Sequence, residues 1–328
     1  MNTATALAHP NIALVKYWGK RDAVLNLPAV GSLSITLDKI WTQTRVSFDP
    51  QFKQDSLSLN NREDAGESKR VSACLDLLRK RAGVDWKARI ESQNNFPTAA
   101  GLASSASGFA ALVVAGEQAL GLKLAAEEKS ALARQGSGSA ARSIFGGYVE
   151  WARGTRADGS DSVAKPLLDA DAWPLGVAVA ITSTAAKETG STEGMNRSAE
   201  TSPYQQAWVD SQEQDLTVAR AAIRSRDFEK LAEISEHSCL KMHALALSAR
   251  PGLIYWNGAT VEGMRRIRAL RAQGCPVFFT VDAGPQLKAV CAPEALAKVS
   301  AALREIPGVL NVIETGLGQG ARIVESSS

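Results

Sequence analysis

The stretch from Asn94 to Gly121 has the residue types of an anion-binding loop that leads into a helix. Between Pro97 and Ser105 it reads PTAAGLASS, and a run of small apolar residues follows from Phe109. Serine is favoured at helix N-caps, and the first helical turn leaves backbone N–H groups unpaired. Phosphate binding at the helix start is therefore one interpretation. A tight turn into a closely packed helix uses the same small residues, so this stretch alone leaves both interpretations open.

A second segment rich in serine and glycine, QGSGSAAR, runs from Gln135 to Arg142. Its glycines give the backbone freedom, and the hydroxyls of Ser137 and Ser139 can donate to phosphate or carboxylate oxygens. The guanidinium of Arg142 can bind such oxygens in a bidentate manner. The segment is not a dinucleotide fingerprint, because it follows a predicted helix rather than a strand and has Ala141 at the sixth position.

Several cations are placed separately along the chain. The apolar strand from Asn11 to Val15 leads into the cluster Lys16-Tyr17-Trp18-Gly19-Lys20-Arg21, and Arg70 stands near the start of a predicted helix. These cations and aromatic rings can hold a polyanionic ligand. A solvated loop with Trp18 in the core is the plainer alternative.

One carboxylate follows an apolar strand, because the segment from Cys275 to Val281 ends at Asp282-Ala283-Gly284-Pro285. This position suits a catalytic group and equally suits an aspartate that caps a turn. Two anion-binding loops, separate cations and one strand-end carboxylate together form the set that phosphoryl transfer needs. The sequence has no GxxxxGK[ST] loop, no HRD and DFG motifs and no GxSxG elbow, which argues against P-loop enzymes, protein kinases and serine hydrolases.

Hydrophobic periodicity predicts a mixed set of strands and helices to position these residues. The predicted strands cover 11–15, 33–37, 44–48, 56–59, 86–92, 173–182, 275–281 and two segments within 311–324 joined by a glycine turn. The predicted helices follow the PTAAGLASS loop and cover 67–82, 127–134, 201–224, 227–248 and 258–273. Residues 153–165 are expected to form a hairpin tip, and 187–195 a polar loop that could close over a cleft.

Two finer expectations concern the second half of the chain. In the helix over 258–273 one face is expected to be buried and the other solvated; the residues are Val261, Met264, Ile267 and Leu270 on the buried face and Arg265, Arg266, Arg268 and Arg271 on the solvated face. The apolar run over 173–182 is expected to end the first domain. We therefore predict two domains, 1–184 and 185–328.

Composition narrows the class of protein. The 328 residues are 45% hydrophobic and 22% charged, as in a globular protein, and Lys plus Arg exceed Asp plus Glu by 37 − 34 = 3, which is too little to indicate nucleic-acid binding. The four cysteines are far apart with no CxxC pair, which favours free thiols in a reducing compartment. Neither a secretory leader nor a membrane span is predicted, so we expect a cytoplasmic protein with no membrane partner. His237 and His243 are six residues apart, which argues against a metal site with Glu236 and Cys239.

The motifs resemble those of a known family. PTAAGLASS resembles the phosphate loop of the GHMP kinase superfamily in the form found in diphosphomevalonate decarboxylases. Four further segments resemble motifs of that family in its order and spacing over essentially the whole chain; they are Asn11–Asp22, Leu25–Pro28, Gly136–Tyr148 and Asp282–Pro285. The resemblance implies an α+β GHMP kinase fold, with an N-terminal ribosomal-S5-domain-2-like nucleotide-binding domain and a C-terminal ferredoxin-like α/β sandwich.

The resemblance also implies an activity. It is the ATP- and Mg²⁺-dependent decarboxylation of (R)-5-diphosphomevalonate to isopentenyl diphosphate, with ADP, phosphate and CO₂ as co-products, by a protein expected to be a homodimer. Three alternatives stay open, namely a decarboxylase of the 5-monophosphate, a mevalonate 3-kinase that stops at phosphorylation, and a non-catalytic ligand sensor.

Residue roles follow from matching positions in the family's motifs. Asp282 would orient or deprotonate the 3-hydroxyl, Lys16 would be its electrostatic partner, and Arg142 would bind the substrate carboxylate with help from Asn26. Substrate binding is further implied for Tyr17, Lys20, Arg70, Ser137, Ser139, Ser191, Thr192 and Met195. ATP binding is implied for Asn95, Pro97, Ala100, Gly101, Leu102, Ala103, Ser104 and Ser105, with Ser105 also a candidate Mg²⁺ contact.

The sequence departs from the family pattern in three places. It reads Pro28-Ala29-Val30-Gly31-Ser32 where the family usually reads Pro-Thr-Asn-Ser-Ser, it inserts His9 before Pro10, and it has Thr192 where some bacterial members have arginine. These changes bear on how many phosphates the substrate carries more than on the chemistry.

Overall fold

Strands and helices alternate along the chain in a computed structural model, which describes residues 2–96, 104–185 and 188–327. In chain order the strands are β1 (Asn2–Ala8), β2 (Asn11–Val15), β3 (Lys20–Asp22), β4 (Leu27–Pro28), β5 (Ser32–Thr36), β6 (Thr42–Asp49), β7 (Ser56–Leu59), β8 (Arg62–Glu63), β9 (Lys87–Asn94), β10 (Tyr148–Trp151), β11 (Ala164–Leu168), β12 (Gly176–Ile181), β13 (Val277–Val281), β14 (Leu287–Cys291), β15 (Asn311–Thr315) and β16 (Arg322–Ser327). The helices are α1 (Ala65–Ala82), α2 (Ser104–Ala119), α3 (Ala126–Gly136), α4 (Ala140–Ser143), α5 (Ser191–Thr201), α6 (Gln205–Ser225), α7 (Phe228–Leu247), α8 (Gly258–Ala272) and α9 (Leu296–Arg304).

Two large sheets and the two-stranded pair β3–β4 form the first half of the fold in the described residues. One has the order β16-β1-β6-β9-β7-β8, in which only β7 and β9 pair in parallel, and the other has the order β11-β10-β5-β2. Helix α2 packs against β1 and β6 of the first sheet, where Ala4, Ala6 and Ala8 face Ala110 and Ala111 in one apolar cluster. The small side chains of α2 therefore serve close packing along the body of the helix, while its serine-rich first turn lies at the end of the cluster.

The antiparallel sheet of the second half, β13-β14-β12-β15, is covered on both faces. Alternation along its strands sends Val177, Val179 and Phe278 into a cluster with helices α6 and α7 and strands β2 and β5. The residues between them pack against α8 and α9. One continuous core therefore joins β2, which precedes Lys16, to β13, which precedes Asp282.

Strand β12 belongs to the sheet of the second half. Its partners among the described residues are β14 and β15, whereas the predicted boundary at 184 places it in the first half. All six of its residues are buried, as expected of a strand with a layer on each face. The two strands near the chain end belong to different sheets. β15 stays in the second sheet, whereas β16 pairs with β1 in the first.

The helical pattern is largely as predicted. Helix α1 buries Val71, Cys74, Leu75 and Leu78, and Asp64 caps it by accepting from the Glu67 N–H. All four cysteines are buried free thiols. No helix in the described ranges is long and apolar enough to cross a bilayer.

Three local expectations were wrong. Residues 191–201 form α5 rather than a polar loop. On α8, Val261 is exposed, because the buried side of the helix runs through Thr260, Met264, Ile267 and Leu270 and Val261 lies to one side of it. Arg268 and Arg271 are not purely solvated, since both pair with the buried carboxylate of Glu236.

Candidate active site

A cavity of about 980 Å³ lies where the two halves of the fold meet. Seven separate segments contribute to its lining. Residues predicted from the sequence that line it are Lys16, Tyr17, Lys20, Asn26, Arg70, Ser104, Ser105, Ser137, Ser139, Arg142, Ser191, Thr192, Met195 and Asp282. Asn95 is not among the lining residues, because its amide holds the neighbouring turn through Lys39 O at 2.7 Å and the Trp41 N–H at 2.8 Å. Pro97, Ala100, Gly101, Leu102 and Ala103 lie outside the described residues.

The Asp282 carboxylate lies between two ammonium groups. Lys16 Nζ is 2.6 Å from Oδ1, and Lys288 Nζ is 3.0 Å from Oδ2. Both lysines are almost fully buried, while the Asp282 side chain is 27% exposed towards the cavity. Burial by itself raises the pKa of Asp282, but the two ammonium groups outweigh it and hold that pKa well below its usual range. The group is therefore a carboxylate at every physiological pH.

Lys288 is a site residue that sequence reasoning missed. It is the single charged residue of β14, LKAVC, whose five residues are all buried. In the hairpin register Lys288 lies opposite Thr280, which places it on the same sheet face as Asp282 two residues further along. A lone lysine in an otherwise apolar strand was the available signal, since buried lysines need a charged partner.

Helix α7 fixes the backbone on both sides of this ion pair. Ser238 Oγ accepts from the Lys16 N–H at 2.9 Å, and Cys239 Sγ accepts from the Val281 N–H at 3.2 Å. One turn later His243 Nε2 donates to Val281 O at 3.2 Å. Burial lowers the pKa of His243 to about 3, with a smaller contribution from Lys16, so the ring is neutral. This neutral ring holds the end of β13, from which the chain continues to Asp282.

Arg142 lies on the short helix α4 and is 2% exposed. Its Nε and Nη2 donate to Asn11 Oδ1 at 3.1 and 3.0 Å, and its Nη1 donates to Ser32 Oγ. Burial lowers its pKa to about 10, against which Asp282 and then Tyr17 raise it, so it remains a cation at neutral pH. Within the described residues it has no carboxylate partner, which leaves a buried positive charge beside the cavity.

Polar atoms without partners face the same space. Burial raises the pKa of Tyr17, and neither Tyr17 Oη nor Asn26 Oδ1 has a hydrogen-bond partner among the described residues. A Cβ added at Gly138 would lie 2.7 Å from Tyr17 Oη, so glycine is required for that approach. Buried polar groups are normally paired, and an orphaned phenol and amide oxygen lining a cavity indicate a polar ligand.

Lys20 and Arg70 add charge at the outer end of the cavity. Burial lowers the pKa of Lys20, and the nearby Arg70 lowers it further. Arg70 Nη1 contacts both carboxylate oxygens of Glu67, and its Nη2 donates to Gly136 O at 3.0 Å. Because the Arg70–Glu67 pair is half exposed, a more highly charged anion could displace Glu67 at little cost.

The start of α2 joins this cavity to a second one of about 300 Å³. Ser104 and Ser105 line both, and Ser105 Oγ lies 3.2 Å from Ser137 Oγ. The smaller cavity is mainly apolar and had no signal in the sequence, since its residues come from separate elements; the apolar ones are Leu57, Leu59, Val71, Ile90, Phe109 and Leu112. An apolar pocket therefore lies next to a helix start, whose free N–H groups favour anions.

Helix α5 presents its N-terminus to the large cavity. Gly190 caps it, and Ser191 and Thr192 form its first turn. Met195 is buried with Trp18, and Trp18 Nε1 donates to Ser198 Oγ at 3.1 Å. The residues assigned to a mobile loop are therefore on a helix that packs against the Lys16 segment.

Comparison with known proteins now identifies the family. A family model for the diphosphomevalonate decarboxylase-like N-terminal domain matches residues 8–164, and one for the mevalonate 5-diphosphate decarboxylase C-terminal domain matches residues 177–320. The chain belongs to the diphosphomevalonate decarboxylase family. It is 39% identical over 300 residues to the diphosphomevalonate decarboxylase of Candida albicans, covering 87% of this chain and 83% of that protein.

Solved structures of this family have the same fold as the chain. The mevalonate diphosphate decarboxylase of Enterococcus faecalis is 40% identical with a TM-score of 0.90, over 99% of both chains. A structure in complex with MVAPP, AMPPCP and magnesium is 40% identical with a TM-score of 0.91, also over 99% of both chains. Agreement on this scale confirms the GHMP kinase fold expected from the sequence.

Two of the chain's departures from the family pattern are explained by packing. Val30 is 2% exposed in the cluster with Trp18 and Met195, so it supports the site from behind. His9 Nδ1 bonds to Ile40 O at 2.8 Å, away from the cavity. For Thr192, at the start of α5, no contact explains the departure.

A Mg²⁺ ion would find few protein ligands in this member of the family. The described part of the chain contains no group of three or more His, Cys, Asp or Glu side chains that could hold a metal ion. Mg²⁺ usually retains waters and binds through one or two protein groups plus substrate phosphates. The cavity fits that mode, because Ser105 offers a hydroxyl at the start of α2 and leaves the other positions to phosphates and waters.

Proposed function

We infer that the protein catalyses the ATP-dependent decarboxylation of (R)-5-diphosphomevalonate to isopentenyl diphosphate, releasing ADP, phosphate and CO₂. Family membership over nearly the whole chain supports this activity. The observation that carries it is the pairing, in one cavity, of a lysine-flanked carboxylate at Asp282 with the buried, carboxylate-free Arg142. Phosphoryl transfer needs the lysine-flanked carboxylate, and a substrate carboxylate would pair with the charge of Arg142.

The reaction proceeds in two steps. The substrate's 3-hydroxyl, oriented by Asp282, attacks the γ-phosphorus of ATP, so that ADP leaves and the hydroxyl proton is released. The C3–O bond of the new phosphate ester then breaks, positive charge develops at C3, and the electrons of the C–CO₂ bond form the double bond as CO₂ departs. Lys16 and Arg142 offset negative charge on the phosphate and carboxylate, respectively.

The other residues that line the cavity bind the substrate's carboxylate and phosphates. Arg142, with Asn26, binds the substrate carboxylate. The first turn of α5, with Ser191 and Thr192, binds the substrate's phosphates, because its N–H groups and the helix dipole favour anions. The other phosphate-binding residues are Tyr17, Lys20, Arg70, Ser137 and Ser139. Met195 anchors that turn against Trp18.

ATP is the co-substrate, and Mg²⁺ is required. The phosphates of ATP lie at Ser104 and Ser105 on the start of α2. The resemblance to the family assigns the PTAAGLASS loop to the same site. The smaller apolar cavity next to these serines accommodates the adenine. Ser105 would hold Mg²⁺ together with the phosphates of ATP, and the ion would neutralise phosphate charge during transfer.

A substrate panel tests the assignment. Purified protein with ATP and Mg²⁺ is offered mevalonate, its 5-phosphate and its 5-diphosphate, and ADP and CO₂ are measured separately. We expect equal ADP and CO₂ from the diphosphate. Turnover of only the monophosphate would show that the protein is a decarboxylase of the 5-monophosphate. Release of ADP without CO₂ would show that it is a 3-kinase. ATP binding without turnover of any of them would leave a ligand sensor.

We also propose the domain division and the assembly. The boundary lies between 164 and 177, where the two family models end and begin. A homodimer is supported by two exposed apolar side chains, Tyr204 and Leu247, on segments joined by the bond between Ser202 Oγ and Ser248 Oγ at 2.6 Å. Buried free thiols support a cytoplasmic location. Light scattering on the purified protein measures the oligomeric state.

A further inference from the structure

Lys288 has surroundings that packing alone does not explain. It is 2% exposed on β14, between Leu287 and Ala289, with Nζ 3.0 Å from Asp282 Oδ2. Burying an ammonium group is costly unless it is paired, and Asp282 already has a partner in Lys16. One carboxylate therefore holds two buried cations, which leaves the trio with a net positive charge.

The two lysines hold different oxygens. Lys16 binds Oδ1 and lines the cavity, whereas Lys288 binds Oδ2 and is not among the lining residues. With one ammonium group on each oxygen, rotation of the carboxylate about its Cβ–Cγ bond breaks at least one contact. Lys288 therefore reaches the reaction only through Asp282.

We propose that Lys288 is a positioning residue that holds the Asp282 carboxylate in the orientation that the 3-hydroxyl requires. The proposal rests on the proposed function for the identity of that hydroxyl. Ionisable groups around Asp282 come from every neighbouring element: Lys16 after β2, Lys288 on β14, Arg142 on α4, and Cys239 and His243 on α7. Because His243 is neutral and burial raises the pKa of Cys239, the cations set the local potential.

The test compares Lys288→Met with Lys288→Arg and with Lys298→Met, which removes an exposed lysine on α9. We expect Lys288→Met to lower kcat at least about 10-fold while KM for each substrate changes less than about 2-fold. Lys288→Arg should recover part of the loss, and Lys298→Met should behave as wild type. Wild-type kcat in Lys288→Met, or a loss confined to KM, would overturn the proposal.

A double-mutant cycle separates positioning from a general structural role. If Lys288 acts through Asp282, adding Lys288→Met to Asp282→Asn should lower kcat no further, since there is no carboxylate left to orient. Multiplying losses would contradict the proposal. The double variant leaves one buried ammonium group without its carboxylate where Asp282→Asn leaves two, so the two variants can be compared even if Lys288→Met alone folds poorly.

A titration that needs no substrate keeps the two proposals apart. The Asp282 carboxyl carbon is followed by ¹³C NMR, with Asp282→Asn for assignment. We expect its titration to move upward by at least about one pH unit in Lys288→Met, and no movement would count against Lys288. Absence of turnover by the wild type on every phosphorylated mevalonate would instead remove the proposed function and leave the titration result standing.

Discussion

Lys16 Nζ lies 2.6 Å from Asp282 Oδ1, although 266 residues separate the two in the chain. Lys16 follows β2 of the first half, and Asp282 follows β13 of the second. Helix α7 bonds to the backbone beside each of them, through Ser238 and Cys239. The proposed catalytic pair is therefore formed only when both halves are docked, so docking and activity should be lost together.

Asp282→Asn removes the charge and keeps the shape. We expect kcat to fall about 10²- to 10⁴-fold, because an amide neither orients the hydroxyl as an acceptor for its proton nor holds two ammonium groups. KM for ATP should change little, since the nucleotide is bound by α2. Steady-state kinetics checks this, with Asp171→Asn, an exposed aspartate, as the control. Activity within a few-fold of wild type would exclude Asp282 from the chemistry.

The sequence showed that Lys16 and Asp282 each follow an apolar strand, but it left a solvated loop and a turn-capping aspartate open as alternatives. The family resemblance paired the two residues, and the structure brings them together in one cavity. The sequence alone could not predict that Lys288 lies beside Asp282. Its contact depends on the β13–β14 register, in which Lys288 lies opposite Thr280, and register follows from the turn and from both strands together.

Helix α5 was missed for a different reason. The segment from Ser191 to Thr201 is mostly polar and buries only Gly194, Met195 and Ser198, so its apolar periodicity is weak. Its stability comes from tertiary contacts with Trp18 and Tyr255, which single-segment patterns do not contain. The ion pairs of Glu236 could not be predicted for the same reason, because its partners Arg268 and Arg271 lie on another helix.

Arg142→Lys tests whether the fork geometry of this guanidinium matters. A lysine keeps the charge but cannot donate to Asn11 Oδ1 and Ser32 Oγ while also binding a carboxylate. We expect kcat/KM for the phosphorylated mevalonate to fall about 10- to 100-fold, the effect of losing charged hydrogen bonds. Exposed Arg265 provides the matched Arg→Lys control. Full activity would mean that only charge is needed at this position.

Gly194→Ala tests the placement of α5. A Cβ at this position would lie 2.3 Å from Tyr255 Oη and 3.2 Å from the Trp18 ring, so the helix or Tyr255 must move. We expect KM for the substrate to rise several-fold while KM for ATP stays unchanged, because the first turn of α5 is displaced from the phosphates. Gly258→Ala, where nothing lies within 4 Å of the added Cβ, is the control. Equal kinetics for the two variants would show that α5 does not contribute to substrate binding.

His243 makes stability depend on pH. Its folded pKa is about 3 against about 6.5 in the unfolded chain, so between these values the unfolded state binds one more proton. The free energy of unfolding should therefore fall as pH drops from about 6.5 towards 3, by roughly 1 kcal/mol per pH unit from this group. Urea unfolding at several pH values measures the slope. His243→Gln should flatten it, while His237→Gln, which removes an exposed histidine on the same helix, should leave it unchanged. An unaltered slope in His243→Gln would assign the acid sensitivity to carboxylates instead.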